Sequence, residues 1–163
     1  MRSLFKEKQK FSNWILWGVS MLLIPLGLLT LYGIYQQIIL GVPFGTKPGS
    51  DLALVLITFF SFSFVLCFWS LHLKTEIDSS KIKIYFFPFI KREIYWNEIL
   101  KAEIVDYGFV LGWGIHITHK YGTVYNTKGK IGLAVQLKNG KKLLIGTQKS
   151  TELDKFLKEK QLI

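Results

Sequence analysis

Glu98, Glu103 and Asp106 place three carboxylates in one short stretch, the residue type that works in pairs as general acid and base. Such a pair needs one shared cleft and two environments that hold the carboxyls apart in pKa. The stretch around 100–107 reads instead as a strand, so these groups are solvated strand-face charges. His116 and His119 are three apart, which on a strand sends them to opposite faces. No cysteine or acidic cluster stands nearby to complete a zinc shell. Cys67, the single cysteine, lies inside an apolar run and has no partner for a disulfide, a metal or a nucleophilic pair. The run Gly108-Phe109-Val110-Leu111-Gly112-Trp113-Gly114 is rich in glycine. It lacks both the Gly-Lys-Ser/Thr ending of a phosphate loop and the dinucleotide spacing before a helix. The sequence therefore predicts no catalytic residue, no metal and no cofactor, and a protein that is not an enzyme.

The elements that must position any site are dominated by two apolar stretches, Trp14 to Tyr35 and Leu52 to Leu73, neither carrying a charge. Each is 22 residues long, which gives about 33 Å of helix against a hydrocarbon core of roughly 30 Å. The second holds fourteen Leu, Ile, Val or Phe residues, which favour insertion by roughly 4–8 kcal/mol. A cleaved leader is a poor reading of the first, because it begins late and bulky Tyr35-Gln36-Gln37-Ile38 follows it. The expectation is a helical hairpin, with helices at about 12–38 and 51–73 and an outer loop at about 39–50, forming a membrane anchor over 1–73. Ser20 and Gly27, like Ser63 and Ser70, are seven apart and predict small-residue packing faces, within the hairpin or in a homo-oligomer. Residues 1–10 carry a net charge of +3, the 36–51 loop is neutral, and 74–163 carry +7. The positive-inside rule puts both termini in the cytoplasm and the loop outside. Much of the overall +10 thus records topology, and nucleic acid is not an expected partner.

Residues 74–163 change character, alternation replacing continuous hydrophobicity. Lys81-Ile82-Lys83-Ile84-Tyr85-Phe86 and residues 130–138 alternate cleanly, and Asn139-Gly140 predicts a hairpin with a type I′ turn. Further strands are expected at 74–78, 90–96, 100–107, 113–119, 123–126 and 141–147. A helix capped by Ser150 or Thr151 should run to about Lys160, with Leu153, Phe156 and Leu157 as its apolar stripe. The fold class is membrane α+β: the helical hairpin, then a small bent antiparallel sheet or partial barrel with a C-terminal amphipathic helix.

Two groups of residues are candidate contact sites. Lys74, Lys81, Lys83, Lys91 and Arg92 fall in the first strands after the membrane exit, where each gains about 1 kcal/mol beside anionic lipid; the other reading is a solubilising charge pattern. Phe109, Val110, Leu111 and Trp113 form an apolar group in a loop, suited to the lipid interface, to a partner, or to folding over its own core.

Pro88-Phe89 followed by Ile94-Tyr95-Trp96-Asn97-Glu98-Ile99 resembles bacterial pleckstrin-homology-like membrane proteins. More closely, Leu40-Gly41-Val42-Pro43-Phe44-Gly45, Tyr107-Gly108-Phe109, Gly112-Trp113-Gly114, Tyr121-Gly122-Thr123-Val124-Tyr125 and Ile145-Gly146-Thr147-Gln148 resemble a group of small bacterial two-span proteins carrying such a domain. The resemblance implies a multi-pass protein of the bacterial inner membrane whose cytoplasmic domain binds lipid headgroups, peptides or partner proteins. The basic motif that grips inositol phosphates in eukaryotic lipid-binding members does not carry over, because the first turn here is Asp78-Ser79-Ser80-Lys81. The expected function is non-enzymatic contact with lipid headgroups, anionic ones foremost, or with a membrane partner. The alternatives are an accessory or scaffold subunit of a larger membrane complex, and a transporter component. Against transport stands the lack of any charge inside either span.

Overall fold

A computed structural model of the chain describes residues 4–108 and 112–162. It is an α+β structure of two compact units, residues 13–70 and residues 1–12 with 71–163.

The first unit is a helical pair. Helix α1 spans Asn13–Ile34, continues through a π-helical turn at Tyr35–Ile39, and α2 spans Asp51–Ser70. Both are long and apolar enough to cross a membrane. The helices meet along small and hydroxylated side chains. Leu16, Ser20, Gly27, Thr30 and Gly33 are the buried positions of α1, and Leu54, Thr58 and Ser61 those of α2. Thr58 Oγ1 donates to Thr30 Oγ1 at 2.7 Å, and Trp69 Nε1 donates to Ser20 Oγ at 2.8 Å. A Cβ on Gly27 would stand 3.0 Å from the Phe62 ring, so glycine there lets the helices approach without the ring having to give way. Ser20 and Gly27 thus pack as their spacing predicts. Ser63 and Ser70 do not: Ser63 is only partly buried, Ser70 is exposed, and Leu54, Thr58 and Ser61 at four- and three-residue steps form the contact row instead. The connecting loop is tied back by Gln37, whose amide donates to Gly49 O at 2.8 Å and Asp51 Oδ1 at 2.6 Å.

Among the described residues the second unit holds nine strands and helix α3, Ser150–Glu159. Strands β1 (Phe5–Lys10), β2 (His72–Ile77), β3 (Lys81–Phe87) and β4 (Ile90–Tyr95) form an antiparallel sheet in sequence order. Strands β5 (Ile99–Asp106), β6 (Gly114–Thr118), β7 (Gly122–Asn126), β8 (Ile131–Leu137) and β9 (Lys142–Gly146) form a second, in the order β5-β8-β9-β7-β6. One bent sheet or partial barrel was the expectation. The described strands instead divide into two separate sheets, and β7 pairs with β9 in parallel. The break falls at the 3₁₀ turn Trp96–Glu98, where the chain turns out of one ladder into the next.

Strand β1 corrects the expected boundary at residue 73. With an alternation that turns Phe5, Glu7 and Gln9 inward and Lys6, Lys8 and Lys10 outward, the segment before α1 completes the first sheet. Two of its inward residues are polar and bond to the end of β9 and to residues just beyond β7 and β9. Glu7 accepts from Thr147 Oγ1 at 2.6 Å and Gln148 N at 2.7 Å, while Gln9 donates to Gly146 O at 2.7 Å and accepts from Thr127 Oγ1 at 3.2 Å. The core behind them comes from Leu73, Ile77, Ile82, Ile84, Phe86 and Ile94 of the first sheet and Leu133, Val135, Leu143 and Ile145 of the second. Leu153 and Leu157 of α3 are buried as well, and Phe156 meets Phe5 at 6.2 Å between ring centroids.

The 137–141 hairpin also departs from expectation. Only Gly140 has positive φ, at 82°, and Gly140 N donates to Leu137 O at 3.0 Å. The turn is therefore a three-residue connection with glycine in the left-handed position, and Asn139 serves through its side chain, accepting from Lys141 N at 3.1 Å.

Candidate functional site

The register of the first sheet sorts its charges. Cross-strand partners share a face, so one face carries, in successive rows, Lys10/His72/Phe87, then Lys8/Lys74/Tyr85/Lys91, then Lys6/Glu76/Lys83/Glu93, then Lys81/Tyr95. Seven lysines stand there against two glutamates, a net charge of +5. Four of the five predicted headgroup residues, Lys74, Lys81, Lys83 and Lys91, come together on this face. Arg92 does not: it pairs with buried Ile84 and lies on the opposite face, lining a groove with Lys138 and Lys141. The one-residue step between Lys91 and Arg92 decides this, since successive strand residues point to opposite faces.

Sequence reasoning missed Lys6, Lys8 and Lys10 as members of the site. Their strict spacing of two was visible, but the intervening Glu7 and Gln9 are polar, so the segment lacked the apolar alternation that marks a half-buried strand.

The face is organised around its two acids. Glu76 Oε1 sits 3.1 Å from Lys6 Nζ and 2.9 Å from Lys74 Nζ, joining β1 to β2. The Lys74 hydrogen bond and then that from Lys6 hold its carboxyl below the usual range, against the cost of desolvation. Glu93 and Lys81 meet at 2.6 Å, which lowers the glutamate and raises the lysine. Among the described residues, Lys8, Lys10, Lys83 and Lys91 have no carboxylate within 4.0 Å, so their charge is available to an outside anion. A groove of about 380 Å³ runs across the middle of the face, lined by Lys74, Lys83 and Lys91 around Tyr85. Three ammonium groups around a half-buried phenol can hold phosphate oxygens, as point charges with rotatable donors rather than as a rigid fork.

The remaining candidates separate. Phe109, Val110 and Leu111 lie outside the described residues; Trp113, at the edge of that loop, is 41% exposed. Asn126 clamps the loop's far end, donating to Gly112 O at 3.2 Å and accepting from Gly114 N at 3.0 Å. Tyr107 packs with Val124 and Leu144 on the second sheet, and burial pushes its phenol up. The three carboxylates share no cleft. Glu98 Oε2 accepts from Tyr95 N at 3.3 Å, Glu103 pairs with Lys101 at 2.7 Å, and Asp106 Oδ1 accepts from Gly108 N at 2.9 Å. His116 is in β6 and His119 in the turn after it. Cys67 is exposed on α2. Among the described residues no three His, Cys, Asp or Glu side chains gather as a metal site. Compared with known proteins, the chain matches no family model and no curated protein.

Proposed function

We propose that the chain is a non-enzymatic two-span protein of a bacterial inner membrane, both termini cytoplasmic, whose pleckstrin-homology-like domain contacts anionic lipid headgroups. The observation that carries this reading is the lysine face of the first sheet. Its rows begin where the chain enters the apolar helices: Lys10 is followed by Phe11 and Ser12 before α1, and only Leu71 separates α2 from His72. Two extended residues reach at most about 7 Å, so Lys10 is tethered close to the helix start. The next row, Lys8, Lys74 and Lys91, follows two residues on, about 7 Å further along the strands. Lys10 itself lies within about a Debye length of the helix start, roughly 8–10 Å at ordinary salt, and the next row stands beyond it. Each lysine so placed contributes about 1 kcal/mol next to an anionic leaflet. Of the two small-residue faces on which the accessory-subunit alternative rests, Ser20 and Gly27 are engaged within the α1–α2 pair, while Ser63 and Ser70 are not among the buried positions of α2.

Amine footprinting of the full-length chain in nanodiscs tests the reading. Acylation of lysines, read by mass spectrometry, is compared between anionic and zwitterionic bilayers at low and high salt. Lys8, Lys10, Lys83 and Lys91 should react several-fold more slowly on the anionic bilayer, with high salt restoring them, while Lys128 and Lys155 stay constant. Equal reactivity in both bilayers would overturn it, as would slowing shared equally by Lys128 and Lys155.

A further inference from the structure

The end of the first sheet from which the chain leaves for α1 and α2 also carries the β3–β4 turn. Strand β3 runs toward that end, where Phe87 stands in the same row as Lys10 and His72, and Pro88 and Phe89 project one step beyond it. The β2–β3 turn at Asp78-Ser79-Ser80 is at the opposite end. Phe89 is 66% exposed, and Pro88 is exposed beside it. Behind this apolar tip His72 stacks on Phe87 at 5.1 Å in the row they share with Lys10, and Tyr85 of the following row meets both rings edge-on at 6.2 and 5.8 Å. Next comes the lysine row, Lys8, Lys74 and Lys91, and after it the mixed row of Lys6, Glu76, Lys83 and Glu93.

We infer that the Phe87-Pro88-Phe89 turn is a membrane-interface wedge, its occupant the acyl–headgroup boundary of the lipid bilayer, with Phe89 as the inserted side chain. Three observations converge on it. The turn shares the sheet end at which both apolar helices join. Its exposed residues are apolar, whereas the turn at the other end is Asp-Ser-Ser. The order apolar tip, aromatic row, lysine row reproduces the order hydrocarbon, interfacial aromatic belt, phosphate layer. The spacing agrees as well: one row to the next is about 7 Å along a strand, and the headgroup layer of one leaflet is roughly 5–8 Å thick. The wedge rests on the proposal that α1 and α2 span a membrane, but unlike the lysine contact it needs neither anionic lipid nor low salt.

Site-directed spin labelling of the full-length chain, with Cys67→Ser as background, tests it in zwitterionic bilayers at high salt. Labels at Phe89→Cys, at Ser79→Cys and at Phe60→Cys on α2 are compared for collision with oxygen, which concentrates in lipid, and with a water-soluble nickel chelate. The label at 89 should favour oxygen, approaching that at 60, while the label at 79 favours the chelate. A second pair moves the label off the tip: a label at Lys91→Cys should move toward the chelate on going from native Phe89 to the Phe89→Asp background. Chelate exposure at 89 equal to that at 79, or no change at 91, would overturn the wedge while leaving the lysine-face reading standing. A chelate-exposed label at 60 would overturn the membrane reading and the wedge with it.

Discussion

Asp78 shows how much one side chain holds in this sheet. Its Oδ1 accepts from Ser80 N at 2.7 Å, from Ser80 Oγ at 2.5 Å and from Lys81 N at 2.9 Å, closing the β2–β3 turn. The Ser80 hydroxyl, then the two backbone donors, hold the carboxyl below its ordinary value against desolvation. A depressed folded pKa means that the charged form stabilises the fold above the unfolded value, and that this stability is lost as pH falls through the folded one. Glu76 and Glu93 follow the same sign. Thermal stability of the sheet unit should therefore be flat near neutrality and fall below about pH 4. Asp78→Asn should lower it by about 1 kcal/mol at neutral pH and flatten the acid limb, as a melting series across pH reads directly. Glu7 tests the seam between the sheets. Glu7→Gln puts an amide donor against one of two donors, Thr147 Oγ1 or Gln148 N, and should cost about 1–3 kcal/mol. A melting midpoint unchanged from wild type would show that the seam does not bind β1.

At the scale of elements, β1 matters most, because it reaches the sheet from before α1. Residues 74–163 taken alone lack β1 and the first two residues of β2, and leave Thr127, Gly146 and Thr147 without their partners on β1. That fragment should expose its core and give poorly protected amides in hydrogen exchange. Lys10 pairs directly with His72, so replacing residues 11–71 by Asn-Gly closes a two-residue hairpin between β1 and β2. This shortened chain should fold with native-like protection of Ile82, Ile84, Leu133 and Ile145, where the simple fragment does not. Gly122 is a second element-level constraint. Its φ is +65°, and a Cβ there would lie 2.2 Å from the carbonyl oxygen of Lys142, across the parallel β7–β9 pair. A backbone oxygen cannot swing aside as a side chain can, so Gly122→Ala should cost at least about 2 kcal/mol, the left-handed conformation alone accounting for about 1–2. Limited proteolysis cutting within 118–126 would reveal the loss.

At the scale of the whole molecule, much of the formal +10 gathers on one surface of one sheet, which holds +5. A surface of one sign attracts through its summed potential, so the response to substitution should be graded. Replacing Lys8, Lys74, Lys83 and Lys91 together by Gln should abolish the salt-sensitive difference between anionic and zwitterionic bilayers in the amine footprint of Lys10. Arg92→Gln, on the opposite face, should leave that difference within error. Equal loss in both variants would mean that total charge rather than this face sets the response.

The sequence alone determined most of the elements, β1 excepted. Two apolar runs became α1 and α2, though the second gave His72 and Leu73 of its expected 51–73 helix to β2; the alternating stretches from 74 to 147 became strands close to their expected bounds, and the capped amphipathic stripe became α3. These are local properties, written in hydropathy, periodicity and turn chemistry within a few residues. The tertiary structure decided what those signals do not encode. It divided the strands into two sheets, paired β7 with β9 in parallel, and moved the α2 packing row from Ser63 and Ser70 to Thr58 and Ser61. It also brought residues 5–10, which precede α1 in the chain, to complete the lysine face and its polar seam, and set Arg92 on the opposite face from Lys91. Pairing partners and register depend on residues 60 or more positions apart, Lys10 with His72 or Glu7 with Thr147. A polar inward side chain such as Glu7 looks like a surface residue until its distant donors are in place.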